Sequence, residues 1–201
     1  MDIMTENDID TSSGEPFLIN TEYLQLNDDT VKDYFILLHS NPDDPYTHGY
    51  FYNGKTGEKF PFYPTYYEIW SRPGVDVEYK IIDVDCADGH KEILTRYGNG
   101  GTAYHAYDLN IFRYDERTGA MKVIFEQNIS VVNSMDTASV KSEINYVDIN
   151  YKNENCISEI NVQQGEITVG DSEYNLNIKP KENSAIKKFL FNSSRNLFEE
   201  K

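Results

Sequence analysis

The sequence predicts a mainly β protein, built of antiparallel β meanders, with one helix near the N-terminus and one at the C-terminus. Three observations carry that reading. Aromatic residues make up 13% of the 201 residues, with 16 Tyr and 10 Phe, types that suit a pleated, half-buried surface. From Tyr46 onward, short apolar runs alternate with Gly-, Asn- and Asp-rich turns. Apolar residues at helical spacing stand in two places, one near each end.

The elements follow in order. Residues 1–16 are acidic and rich in Ser and Thr, without an apolar core, and read as a flexible acidic tether with no signal peptide. Residues 17–201 read as a single β-rich domain, long enough to bury a core. Phe17 to Leu26 suits an extended segment. Asn27 or Asp28 then caps an expected helix through His39, with Val31, Tyr34, Phe35 and Leu38 on one face. Asn41-Pro42-Asp43-Asp44-Pro45 is a firm break.

His48 to Tyr52 and Glu58 to Tyr63 flank Asn53-Gly54-Lys55-Thr56-Gly57 and read as a hairpin. Thr65 to Trp70 is a further apolar stretch. Val77 to Val84 and Glu92 to Tyr97 flank an acidic turn, Gly98-Asn99-Gly100-Gly101 reads as a turn, and Thr102 to Tyr114 and Ala120 to Val132 pair around Asp115 to Gly119. A second meander runs from Ser142 to Ile178, with turns at Asn153, Gln163 and Gly170. Pro180 to Glu200 closes the chain as an expected helix carrying Ile186, Phe189, Leu190, Leu197 and Phe198, weakened at Asn192-Ser193-Ser194.

Charge excludes one class of partner. The net charge is −16 and the first fifty residues hold eleven Asp or Glu against the single base Lys32. A nucleic-acid surface needs a basic patch, and the chain has none in view. No apolar run approaches the roughly 20 residues a membrane-spanning helix needs. Two cysteines, Cys86 and Cys156, allow one disulfide; two free buried thiols is the preferred reading.

The segment with the most chemical content is Ile81-Ile82-Asp83-Val84-Asp85-Cys86-Ala87-Asp88-Gly89-His90-Lys91-Glu92-Ile93-Leu94. Three aspartates, one glycine for the bend and a glutamate place oxygen ligands close together, as calcium requires. The same residues also suit a polar β-turn in which Asp side chains bond backbone amides. The candidate ligands are Asp83, Asp85, Asp88 and Glu92. A similar polar spacing, Asp148, Asn150 and Asn153, stands 65 residues later.

In its order of apolar entry, Asp-rich turn with glycine, glutamate and apolar exit, the segment resembles the integrin-type FG-GAP or VCBS-like repeat unit of bacterial exported and lipoprotein domains. The resemblance covers about 35 residues, Tyr79 to Tyr114. It departs from the repeat in that Cys86 and Ala87 both separate Asp85 from Asp88. It implies β architecture, a bound calcium, and an extracellular or cell-surface location, with a lipid anchor in the native precursor as one arrangement the tether would suit.

Between Tyr46 and Trp70 ten of 25 residues are aromatic. Core packing accounts for most of them; rings with polar tips also suit sugar stacking or protein contacts. Tyr66, Tyr67 and Trp70 are the candidate ligand contacts. The four histidines and two cysteines form no zinc spacing, no serine sits in a nucleophile elbow, and Cys86 with His90 is a poor nucleophile pair in an acidic turn. The expectation is a non-enzymatic, exported or surface-tethered domain that recognises a protein or a glycan. A small acidic inhibitor or immunity-type protein that blocks a basic enzyme is the alternative, and a glycan hydrolase is a third class.

Overall fold

The computed structural model describes residues 17–39, 46–71, 77–101, 104–133, 141–167 and 178–201. Among the described residues there are fourteen strands: β1 (Phe17–Leu24), β2 (Asp33–His39), β3 (Thr47–Tyr52), β4 (Phe62–Tyr63), β5 (Ile69–Ser71), β6 (Glu78–Ile82), β7 (Glu92–Gly101), β8 (Tyr104–Asp115), β9 (Ala120–Asn133), β10 (Lys141–Tyr151), β11 (Ile157–Ile167), β12 (Ile178–Pro180), β13 (Ile186–Asn192) and β14 (Leu197–Glu200). The mainly β, antiparallel expectation holds. Among the described residues there is no helix.

Two sheets form. One is β1-β2-β3-β5; the other runs β14-β13-β11-β10-β9-β8-β7-β6 with β12 on β11 and β4 on β9. The larger sheet folds over on itself at β10. Residues 141–144 pair with the end of β9, whereas 145–151 pair with β11, so the chain changes layer along a single strand. The fold-over encloses one core, in which Ile82, Leu109, Ile111 and Phe125 meet Ile157, Ile160, Val162 and Phe198. The four-stranded sheet covers the opposite face through a second core, where Phe35, Leu37 and Phe51 meet Ile93, Phe112 and Met121. The β7–β9 layer is therefore apolar on both faces: Ile111 lies in one core and its neighbour Phe112, across a bulge, in the other.

Two expectations are corrected. The N-terminal helix is a turn followed by strand β2. Val31 is exposed, and Tyr34 to Leu38 divide by alternation, with Phe35 and Leu37 in the inter-sheet core and Ile36 and Leu38 in a small cluster with Tyr52. Five apolar residues in a row satisfy two faces of a central strand as well as they satisfy a helix. Asn27, one of the two supposed caps, forms an Asx turn instead, its Oδ1 accepting the Asp29 N–H, and Asp29 Oδ1 in turn accepts the Val31 N–H.

The C-terminal helix is a hairpin, β13 and β14, whose turn is the Asn192-Ser193-Ser194 stretch that weakened the helix. Asn192 Oδ1 accepts from the N–H and hydroxyl of Ser194, and Asn196 takes a positive φ of 53°.

Smaller differences follow the same pattern. Lys59 makes one bridge to Tyr52, and β4 leaves the expected hairpin to pair in parallel with β9. Gly98 to Gly101 continue β7 instead of turning, and Gln163 to Gly165 continue β11. The acidic tether, the break at 41–45 and the turn at Gly170 lie outside the described residues.

Candidate binding surface

The aromatic surface is built by the connection from β4 to β5. Met121 N–H donates to the Pro61 carbonyl and β4 pairs with β9, which fixes the entry. A turn follows, with the Tyr67 N–H on the Pro64 carbonyl. Ile69 then drops into the core and β5 joins β3. Between these anchors Tyr66 stands out 76% exposed, its ring stacked on Tyr67 with centroids 5.0 Å apart. Trp70 is half-buried beside Tyr46, 6.2 Å between ring centres.

Tyr66, Tyr67 and Trp70, singled out from sequence, share one open recess of about 380 Å³ with Glu68, Tyr97, Asp108 and Glu126. The last three come from strands β7, β8 and β9, 27 or more residues away in sequence from Trp70, so spacing in the sequence carried no sign of them. The Tyr67 hydroxyl donates to Glu126 Oε2 at 2.5 Å, and the Tyr97 hydroxyl donates to the Glu68 carbonyl at 3.2 Å while accepting from Asn110 Nδ2 at 3.1 Å. Burial, followed by the Glu126 carboxylate for Tyr67 and by Asp108 and Glu126 for Tyr97, pushes both phenols well above their usual range. Both rings therefore stay neutral with their protons in place. Asn128 Nδ2 donates to Asp108 Oδ1.

A second recess of about 480 Å³ lies across Tyr67 and Glu68, lined by His48, Tyr50, Lys59, Phe60 and Phe62. Burial lowers the His48 pKa, so this imidazole resists protonation.

The acidic turn is arranged differently from a cage of oxygens. Glu92 is fully buried; its Oε2 accepts the Val84 N–H at 2.8 Å and its Oε1 faces Arg113. Arg113, reaching over from β8, also holds Asp88 Oδ2 and lies over the Phe191 ring, 5.3 Å from its centre. Lys91 Nζ pairs with Asp83 Oδ2 at 2.8 Å, while Asp83 Oδ1 is buried without a hydrogen-bond partner. Two side-chain cations thus occupy three of the four carboxylates. Burial pushes the Glu92 carboxyl up, to about 8, against the pull of Arg113. Burial also acts on Asp88, but bonds and charge from Arg113 and the His90 N–H outweigh it and hold that carboxyl below its usual range. With three of them paired to Arg113 and Lys91, the four carboxylates do not gather their oxygens around one point, so the arrangement does not fit a calcium ion.

The turn is fastened to the second meander. Asp83 exchanges backbone bonds with Asn155 and Ile157 at 2.9 Å each, and Cys86 is bonded to Cys156, with Cα atoms 5.8 Å apart. The preferred reading of two free thiols is corrected: the fold-over of the large sheet brings two turns 70 residues apart into register.

Where the turn meets the loop after β1, a different set gathers. Among the described residues, Asp28, His90 and Glu116 bring one ligand atom each to within 4.8 Å of one another. His90 Nε2 lies 2.9 Å from Asp28 Oδ1, and Glu116 Oε1 accepts the Asp28 N–H. These contacts account for the cluster as a loop-to-loop tie.

No protein-family model matches the chain, and neither a curated protein nor a solved structure does.

Proposed function

We propose that this chain is a non-enzymatic binding domain, exported or surface-tethered, that recognises a glycan through Tyr66, Tyr67, Trp70 and the recess behind them. The observation that carries the proposal is the exposed Tyr66–Tyr67 stack beside a recess lined with carboxylates. Flat rings accept the C–H faces of sugars, and neighbouring acceptors take their hydroxyls. The Cys86–Cys156 bond supports an oxidising compartment, as expected of an exported domain.

The proposed role of the acidic turn is scaffolding: Arg113 and Lys91 supply the positive charge that the sequence pattern assigned to calcium. A screen of soluble oligosaccharides by calorimetry tests the function. Binding that is lost in Tyr66→Ala, with no sugar released on long incubation, supports it. Release of sugar would replace it with a hydrolase.

The net charge of −16 favours a second reading, an acidic inhibitor of a basic enzyme. Capture of a basic protein that weakens steeply with salt, with no glycan bound, would select that reading.

A further inference from the structure

We propose that the glycan is a linear chain bound along its length, lying over Tyr67 and Glu68 so that it occupies both recesses at once; this rests on the glycan-binding reading. The recess beside Tyr66 and Trp70 measures about 380 Å³ and its neighbour about 480 Å³, and Tyr67 and Glu68 line both. The two hollows therefore share a wall and make one groove.

Register explains why they adjoin. On β3 and β5, His48 stands opposite Trp70, and the Cβ atoms of directly opposed residues in an antiparallel pair lie on one face, roughly 5 Å apart. His48 lines the second recess and Trp70 the first, so one pair of strands carries both linings side by side. The β4–β5 connection serves both as well. Phe62 and Thr65 line the second recess and Tyr66 the first, with Tyr67 and Glu68 common to the two.

The chemistry along the groove suits a repeating ligand. Rings stand on each side of the shared wall, Tyr66 and Trp70 on one, half-buried Tyr50 and Phe62 on the other, and flat rings take the C–H faces of successive sugars. Polar groups are interleaved with them. Glu68 and Thr65 are exposed, and burial keeps the His48 imidazole from protonation, so it offers one donor and one acceptor to sugar hydroxyls. A short sugar makes one of these two sets of contacts. A longer chain makes both, and the second set comes without a second loss of translational freedom, so affinity rises with length.

Trp70 is the single tryptophan of the chain and lines the first recess, so its fluorescence reports a sugar seated there. The intact chain would be titrated with dimers, tetramers and hexamers of glucose, N-acetylglucosamine, mannose and galacturonic acid. For a sugar that binds, the hexamer is expected to bind about thirtyfold more tightly than the dimer, beyond the several-fold that a repeating ligand gains from its alternative registers. Thr65→Phe places a bulky ring at the second recess from an exposed position. It should remove most of the hexamer's gain and leave the dimer unchanged, whereas Tyr66→Ala should weaken every length alike. Near-ultraviolet circular dichroism on both variants confirms that they fold.

Equal affinity for dimer and hexamer in the intact chain overturns the shared groove and leaves the glycan-binding reading standing. A hexamer gain that survives Thr65→Phe does the same. No response to any of these sugars overturns both.

Discussion

Asp33 and Gly54 show how much a single residue organises here. The Asp33 carboxylate is fully buried and accepts backbone N–H bonds from Leu26 and Gly54, so it ties the β1–β2 turn to the turn after β3. A Cβ on Gly54 would stand 1.8 Å from the Lys32 carbonyl oxygen, a backbone atom that cannot swing aside. Gly54→Ala is expected to cost about 2–3 kcal/mol, read as a lower urea midpoint. An unchanged midpoint would mean that the two turns separate easily.

Glu92 carries a pH dependence. Its carboxyl is raised from the usual carboxylate range to about 8, so the folded chain holds that proton more tightly than the unfolded chain does. Its share of stability is complete below the unfolded value and drains away as pH rises through about 8. Denaturation across pH 4 to 9 should show a decline that Glu92→Gln flattens. An equal slope in the variant would place the titration elsewhere.

At the scale of elements, the acidic turn and the later hairpin act as one clasp. The disulfide closes a loop with a sequence separation of 70, and loop-closure entropy assigns it about 4 kcal/mol. Cys86→Ser with Cys156→Ser should lose most of that in urea unfolding, while the fold persists through the Asp83 backbone bonds to Asn155 and Ile157. Calcium is the companion test. Arg113 and Lys91 already pair with Asp88, Glu92 and Asp83, so millimolar calcium added after chelation should leave the unfolding temperature where it was. A clear upward shift, absent in Asp83→Ala, would return the turn to calcium binding.

Legibility also divides at this scale. Most strands from Glu78 to Tyr151 stood close to their expected positions, because turn residues mark their ends; Gly98 to Gly101, which carry β7 on, are the exception. The two helices failed for a shared reason: apolar residues crowd both faces of β2 and most of β13, and crowding mimics helical spacing when the partners are unknown. In the recess, three aromatic members were legible because they cluster in sequence. Tyr97, Asp108 and Glu126 were not, since strand pairing brought them there.

Across the whole molecule, the middle layer of β7, β8 and β9 holds everything together, with one core on each face. Phe112 is fully buried and reaches Phe51 and Phe62, with ring centres 6.0 and 5.5 Å away. Phe112→Ala should cost about 3–5 kcal/mol and still give one transition by both fluorescence and far-ultraviolet circular dichroism. Two separated transitions would show that the four-stranded sheet unfolds on its own.

The sequence by itself determined that strands dominate, where most turns fall, that the chain is acidic, and where its aromatic residues cluster. Those properties depend on residue type and on neighbours a few positions away. Tertiary structure alone decided the fold-over at β10, the pairing of Cys86 with Cys156, the delivery of Arg113 to Glu92, and the carboxylates behind Tyr66 and Tyr67. Each of these joins segments at least about twenty residues apart, and such pairings are set by which apolar faces can be buried together, a condition that no local pattern records.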